Sequence, residues 1–211
     1  MTDEEKKVLD TILSLCQREG ISPFQIDYKV HNEIKVSNVK GVLTTDIKEN
    51  VVSVRYRGMY EERLGTFEDD KLDENRADEI IKSIKQSALN SDRLCRPEFF
   101  GEPGQRYKSS GFKLSNVKID NLKILNNKIV QSLKGMNSLF NDDAINEIST
   151  TLITGRRMMV NSKGLKVEKK FDRIVMKADC TFTKPDGEKS SATETYIGYN
   201  LMTIKPEYLA N

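Results

Sequence analysis

Histidine and cysteine are scarce in this chain, and most routes to metal or nucleophilic chemistry go with them. His31 is the single histidine among 211 residues. It lies on the polar side of an alternating segment, so a surface position is expected for it, and no second histidine is present to share a metal. A zinc site built without histidine needs several cysteines at close spacing, but Cys16, Cys95 and Cys180 are far apart. An odd number of widely spaced cysteines argues against a disulfide framework and suits a reducing cytoplasm. Cys95 is expected to be the exposed one, with Arg93 and Arg96 close enough to favour its thiolate. A nucleophile also needs a base, normally histidine, and the sequence marks none.

Other absences narrow the class further. No apolar run approaches the ~20 residues that cross a bilayer. The opening MTDEE is acidic, where a secretory leader is basic and then apolar. Charge of one sign is also missing: 34 Lys and Arg against 32 Asp and Glu leave a net charge of +2. Binding to nucleic acid or to a membrane surface would need basic residues gathered on one face. Lys163, Lys166, Lys169 and Lys170 are instead interleaved with apolar residues and Glu168, which favours a solvated strand face over a binding patch. Gly101-Glu102-Pro103-Gly104 lacks the strand–loop–helix setting that arrays amides around a phosphate. The length suits one large domain or two small ones.

What is present is clear periodicity. Thr2-x-x-Glu5 fits a capping box, and Val8, Leu9, Ile12, Leu13 and Cys16 follow at helical spacing up to Gly20. The chain then alternates: Phe24, Ile26, Tyr28 and Val30 against Gln25, Asp27, Lys29 and His31, then Ile34 and Val36, then Val52, Val54 and Tyr56. Short half-buried strands in an antiparallel meander are expected there. Asp73 is a plausible N-cap for a helix over 74–90, with the stripe Ala77, Ile80, Ile81, Ile84, Ala88 and Leu89. Between 91 and 115 the pattern breaks at Pro97, Gly101, Pro103, Gly104 and Gly111. Phe99, Phe100, Tyr107 and Phe112 suggest that this crossover is pinned against something, although a plain surface crossing is favoured. A third helix over 117–134 puts Ile119, Leu122, Leu125, Ile129 and Leu133 inward and stops at Gly135.

After a loop at Asn141-Asp142-Asp143, a second β region begins. Its best signal is the amphipathic hairpin over 153–183, reversing at Asn161-Ser162-Lys163-Gly164. Leu165, Val167 and Phe171 alternate there with Lys166, Glu168, Lys170 and Asp172, which are expected on the solvated face. A strand through Ile174, Met176, Ala178, Cys180 and Phe182 follows, then a turn at Lys184-Pro185-Asp186-Gly187 and a last strand around 190–199. The order helix–meander–helix–crossover–helix–meander segregates strands from helices. It implies an α+β fold with helices packed on antiparallel β-meanders.

Two charged groups remain as candidates. Gly155-Arg156-Arg157 could offer two guanidinium groups to a carboxylate or phosphate, but a solvated strand edge is the favoured reading. Glu68-Asp69-Asp70 with Asp73 and Glu74 could hold a hard cation, while acidity at a helix start accounts for it more simply. No residue is assigned a catalytic, cofactor-binding or metal-binding role.

Several segments taken in order resemble one family. They are VSVRYRGMYEERLGTFEDDKL (52–72), the helix after it, and 158–183 with the turn Asn161-Ser162-Lys163-Gly164. Together they resemble the N-terminal domain of the TldD/PmbA family, also called modulators of DNA gyrase, and Leu64-Gly65-Thr66-Phe67-Glu68 with the Lys-rich hairpin resembles the PmbA (TldE) branch. The resemblance implies a subunit of a cytoplasmic metallopeptidase, in which a TldD and a PmbA subunit pair to process or degrade small unfolded peptides. It implies zinc in the C-terminal domain of the TldD-type partner, on a His-Glu-x-x-x-His helix and a later cysteine, and none in this chain, which has no such motif. Residues 1–211 are then expected to be a single N-terminal α+β domain without the metal-site domain. It would help to wall a peptide cavity and pair with a TldD-type subunit or with itself, with no part for nucleic acid or membrane. A different class stays open: a stand-alone α+β module that binds an extended peptide by adding a strand to a sheet edge.

Overall fold

The computed structural model describes residues 2–92, 94–104, 114–136, 144–183, 186–205 and 209. Within these the elements run α1 (Asp3–Arg18), β1 (Phe24–Val39), β2 (Val42–Tyr60), β3 (Arg63–Asp69), α2 (Ala77–Leu89), α3 (Ile119–Met136), β4 (Ile145–Asn161), β5 (Lys166–Thr183) and β6 (Lys189–Gly198). The strands form an antiparallel sheet in the order β3-β2-β1-β4-β5-β6. The fold is α+β, as the segregation of helices from strands implies. Tyr107, Phe112, the loop Asn141-Asp142-Asp143, and Lys184 and Pro185 of the expected turn lie outside the described residues.

The strands are longer than the alternation suggests. The segments around Phe24–Val30 and Ile34–Val36 are one strand, β1, and the hairpin return and the run Ile174–Phe182 are likewise one strand, β5. The reversals fall elsewhere. Lys40 and Gly41 have φ of 49° and 84°, and Glu61 and Glu62 have φ of 48° and 58°. Two successive residues at positive φ make the tight hairpin turn whose twist matches that of the strands. Two glutamates carry no turn signal, and Gly58, where the alternation stops, lies inside β2.

The chain divides into two compact units, the first made of Met1–His31, Asn50–Ser109 and Gly155–Lys170. Its core begins with α1, started by the capping box: Thr2 Oγ1 accepts from the Glu5 N–H at 3.1 Å and Glu5 accepts from the Thr2 N–H at 2.9 Å. Leu9, Ile12 and Cys16 of α1 and Ile80, Ile81 and Ile84 of α2 bury against Phe24, Ile26, Tyr56, Met158 and Val160. Each large apolar side chain so covered contributes about 1.5–3 kcal/mol. Asp73 does cap, accepting from the Asn75 N–H at 2.9 Å, but the turn it starts (Glu74–Arg76) is 3-10 and runs into α2. Leu89, expected in the apolar stripe, is half exposed because α2 ends there. At Gly65 a Cβ would stand 2.1 Å from the Ile84 carbonyl oxygen, so the absent side chain lets α2 lie directly on β3.

The second unit comprises Asn32–Glu49, Ser110–Thr154 and Phe171–Asn211. Leu122, Leu125, Ile129 and Leu133 of α3 pack on Val36, Ile148, Ile174 and Met176, with Ile119 partly buried beside them. The helix continues through Gly135, the expected stop, to Met136. Asn126 is fully buried and donates to the carbonyls of Val36 (3.2 Å) and Ile148 (2.9 Å), tying α3 to β1 and β4. Asp172, expected on the solvated face of β5, is buried instead. Its carboxylate accepts the Leu114 N–H at 2.7 Å, a charge-assisted bond that offsets part of the cost of its burial.

The Gly65→Ala variant should lose at least about 2 kcal/mol, because the new methyl meets backbone that cannot rotate away. Urea denaturation checks it, and a loss under a few tenths of a kcal/mol would refute the close approach of β3 and α2.

Candidate functional site

The candidate residues named from the sequence are held within the first unit, and the structure gives most of them a partner. The turn after β4 is the centre of this arrangement. Asn161 is buried; its Oδ1 accepts the N–H groups of Lys163 (3.0 Å) and Leu165 (2.9 Å), and its Nδ2 donates to the Gly101 carbonyl at 2.7 Å. Ser162 holds the start of β1, donating its N–H to the Phe24 carbonyl at 2.9 Å and accepting the Phe24 N–H on Oγ at the same distance. Lys163, expected on a solvated face, instead reaches the Pro97 carbonyl and pairs with Glu102. This turn is a clamp between β1 and the crossover.

The crossover is pinned at its other end as well. Leu94 bridges to Arg63, the Cys95 N–H donates to the Glu62 carbonyl at 2.9 Å, and Arg63 Nη1 donates to the Ser91 carbonyl at 2.9 Å. Phe100 is buried with the Arg57 guanidinium 5.3 Å above its ring. This corrects the expectation for Cys95. It is 6% exposed, and burial pushes its thiol up although Arg57 pulls the other way. Cys16, buried on α1 as expected, is pushed up to about 12 by the same cause. His31 is buried too, at 6% exposure, and not at the surface. It packs opposite Gly155, where a Cβ would come within 2.3 Å of the Val30 carbonyl oxygen and 2.6 Å of the His31 Cβ.

Gly155-Arg156-Arg157 does meet carboxylates, but they belong to this chain and the strand is interior. β4 lies between β1 and β5. Arg156 donates to Glu5 at 2.5 Å, which also accepts from the Tyr28 hydroxyl at 3.0 Å, and Arg157 forms a two-pronged pair with Asp27. The acidic run is likewise engaged. Arg76 Nη1 lies 2.5 and 2.6 Å from the two oxygens of the nearly covered Asp69, and Glu68 accepts from Arg55 at 2.7 Å. Among the described residues, no three His, Cys, Asp or Glu side chains gather to hold a metal ion, and no helix is long and apolar enough to cross a membrane.

A small cleft on this unit, about 120 Å³ in volume, is lined by Gln25, Asp27, Arg55, Arg57, Arg157 and Met159. Three neighbouring strands supply these residues, and the side chains of alternate positions share a face. Arg57 Nη2 donates to Gln25 Oε1 at 3.0 Å, which explains why Gln25, expected on the polar face, is buried. The sequence shows Arg55 and Arg57 two apart on β2, but only the pairing of β1 with β2 and β4 brings Arg157 and Asp27 beside them.

In Glu5 burial raises the carboxyl, but hydrogen bonds from Arg156, the Thr2 N–H and Tyr28 outweigh it and hold the group at about 2. A carboxyl whose folded value is depressed stabilises the fold above its unfolded value and loses that contribution as pH falls through the folded one. Stability should therefore drop between roughly pH 4.5 and pH 2, by roughly 2–3 kcal/mol from this group. Denaturation at stepped pH measures it, and the Glu5→Gln variant should flatten that part of the curve; an unchanged slope would remove Glu5 from the account.

No protein-family model and no curated protein sequence matches the chain. Solved structures do match in fold. One from Thermotoga maritima, described as a modulator of a DNA gyrase, superposes with a TM-score of 0.59 at 14% identity, over 97% of this chain and 46% of that one. TldE from Thermococcus kodakarensis gives 0.61 at 16% identity, over 96% and 45%. A protein from Bacteroides thetaiotaomicron, described as a modulator of DNA gyrase, gives 0.63 at 13%, over 99% and 48%. The chain thus spans about half the length of the structures it matches, and over that span it has the fold of the DNA gyrase modulators and TldE.

Proposed function

We propose that this chain is the N-terminal, non-catalytic domain of a PmbA/TldE-like subunit, working with a TldD-type subunit in a cytoplasmic metallopeptidase that processes or degrades small peptides. The observation that carries this reading is the shared fold, which extends over 96% of the chain in the comparison with TldE. The order of the segments at 52–72 and 158–183 supports it independently.

In this reading the chain binds and positions, and zinc belongs to the C-terminal domain of the TldD-type partner. Several features of this chain support such a division of labour. Its one histidine and its three cysteines are buried among framework residues, out of reach of a substrate. Three guanidinium groups and one carboxylate line the cleft at Arg55, Arg57, Arg157 and Asp27. These guanidinium groups are held by Asp27, Glu68 and Gln25, so the cleft belongs to the framework that braces the sheet.

Co-expression with a TldD-type subunit from the same organism tests the proposal. The tagged chain, or the longer protein if the reading frame continues, should retain that subunit through purification. Failure of the full-length protein to pair would refute it, and a His-Glu-x-x-x-His beyond residue 211 would move the assignment to the TldD branch.

A further inference from the structure

The first stretch of β2 has no covering layer and no outer neighbour among the described residues. β3 pairs with β2 only from Val54 to Tyr60, so residues 42–49 form the rim of the sheet. Every residue from Lys40 to Asn50 is exposed. Val42 is 64% and Ile47 53% exposed, with Val39 and Leu43 also open to solvent. An open edge that carries apolar side chains is a template for another strand, and proteins ordinarily blunt such edges. The outer edge of β6 is polar from Lys189 to Thr195 and carries an exposed apolar side chain only near its end, at Ile197.

The charges on this edge say which strand fits. Asp46 and Lys48 flank Ile47, and their side chains point to one face, with 3.9 Å between carboxylate and ammonium. If the strand is set antiparallel against a copy of itself about Ile47, Ile47 meets the partner's Ile47. Asp46 then lies opposite the partner's Lys48, and Lys48 opposite the partner's Asp46. Thr45 and Glu49 face each other at the ends, so no like charges oppose. Directly opposed side chains on antiparallel strands have Cβ atoms about 4.5–5.5 Å apart, close enough for both ion pairs to form. Asn50, at φ 53°, ends the regular backbone beyond Glu49 and so bounds the pairing. The resulting interface is isologous: one patch, used twice about a two-fold axis.

We propose that two copies of this chain associate by antiparallel pairing of residues 45–49 of β2 about Ile47, their sheets joining edge to edge. This goes beyond the peptidase-subunit reading and does not depend on it. The surface is a homotypic one, and the backbone edge, the exposed Ile47 and the Asp46–Lys48 complementarity each contribute to it.

A charge exchange tests the register. Light scattering on the purified chain over a range of concentrations should give a dimer. Asp46→Lys alone and Lys48→Asp alone each place like charges opposite one another twice, and should raise the dissociation constant by about tenfold or more. The double exchange restores opposite charges in both pairs and should bring the constant back to within about threefold of the parent. In parallel, Ile47→Cys should cross-link on mild oxidation, while Thr44→Cys, which the register places opposite Asn50, should not. A monomer at every concentration overturns the proposal, as does a dimer that ignores both single reversals. Binding of an extended peptide to this edge with no self-association would also overturn it. Loss of the TldD-type partner in co-expression leaves these outcomes unaffected, so the two proposals fail separately.

Discussion

The side chain of Asn161 holds the hairpin of β4 and β5 in register, and much else follows from that register. Its Oδ1 gathers the N–H groups of Lys163 and Leu165, so the reversal closes in one geometry. Because side chains alternate along a strand, a slip of one residue would move every inward group of β5 to the other face. Ile174, Met176, Ala178 and Cys180 reach their core only with this pairing. The same amide donates to Gly101, so the residue that sets the hairpin also anchors the crossover.

Charged groups serve the framework in the same way. Arg156 with Glu5, Arg157 with Asp27 and Arg76 with Asp69 each join segments distant in sequence or secure the entry to a helix. These pairs are partly covered, so they are less screened by solvent than pairs on an open surface. Removing one partner would leave a half-buried charge, a larger cost than the gain of having made the pair. The hairpin that first draws attention in the sequence therefore acts as a junction, and the cleft of arginines beside it is bounded by residues that also brace the sheet.

Strong local patterns were legible in the sequence. The capping box at Thr2, the stripes of α2 and α3, and the reversal at Asn161-Ser162-Lys163-Gly164 follow from the local pattern, because each depends on side chains within a few positions of one another. The reversal at Glu61-Glu62 was not legible, since neither glutamate prefers positive φ and tertiary packing imposes it. Leu89 shows the converse: its spacing is right, but the helix ends before anything covers it.

By itself the sequence determined the class of fold, the scarcity of metal- and base-forming side chains, and the near balance of charge. Only the tertiary structure decided which polar residues are buried. His31, Gln25, Asp172 and Cys95 carry patterns that place them outside, yet all four are covered. The physical reason is that alternation assigns a side chain to a face of a strand, whereas burial depends on what the rest of the chain lays over that face. A crossover held by Asn161 and Arg57, or a backbone brought close at Gly155, leaves no periodic trace in the residues it covers.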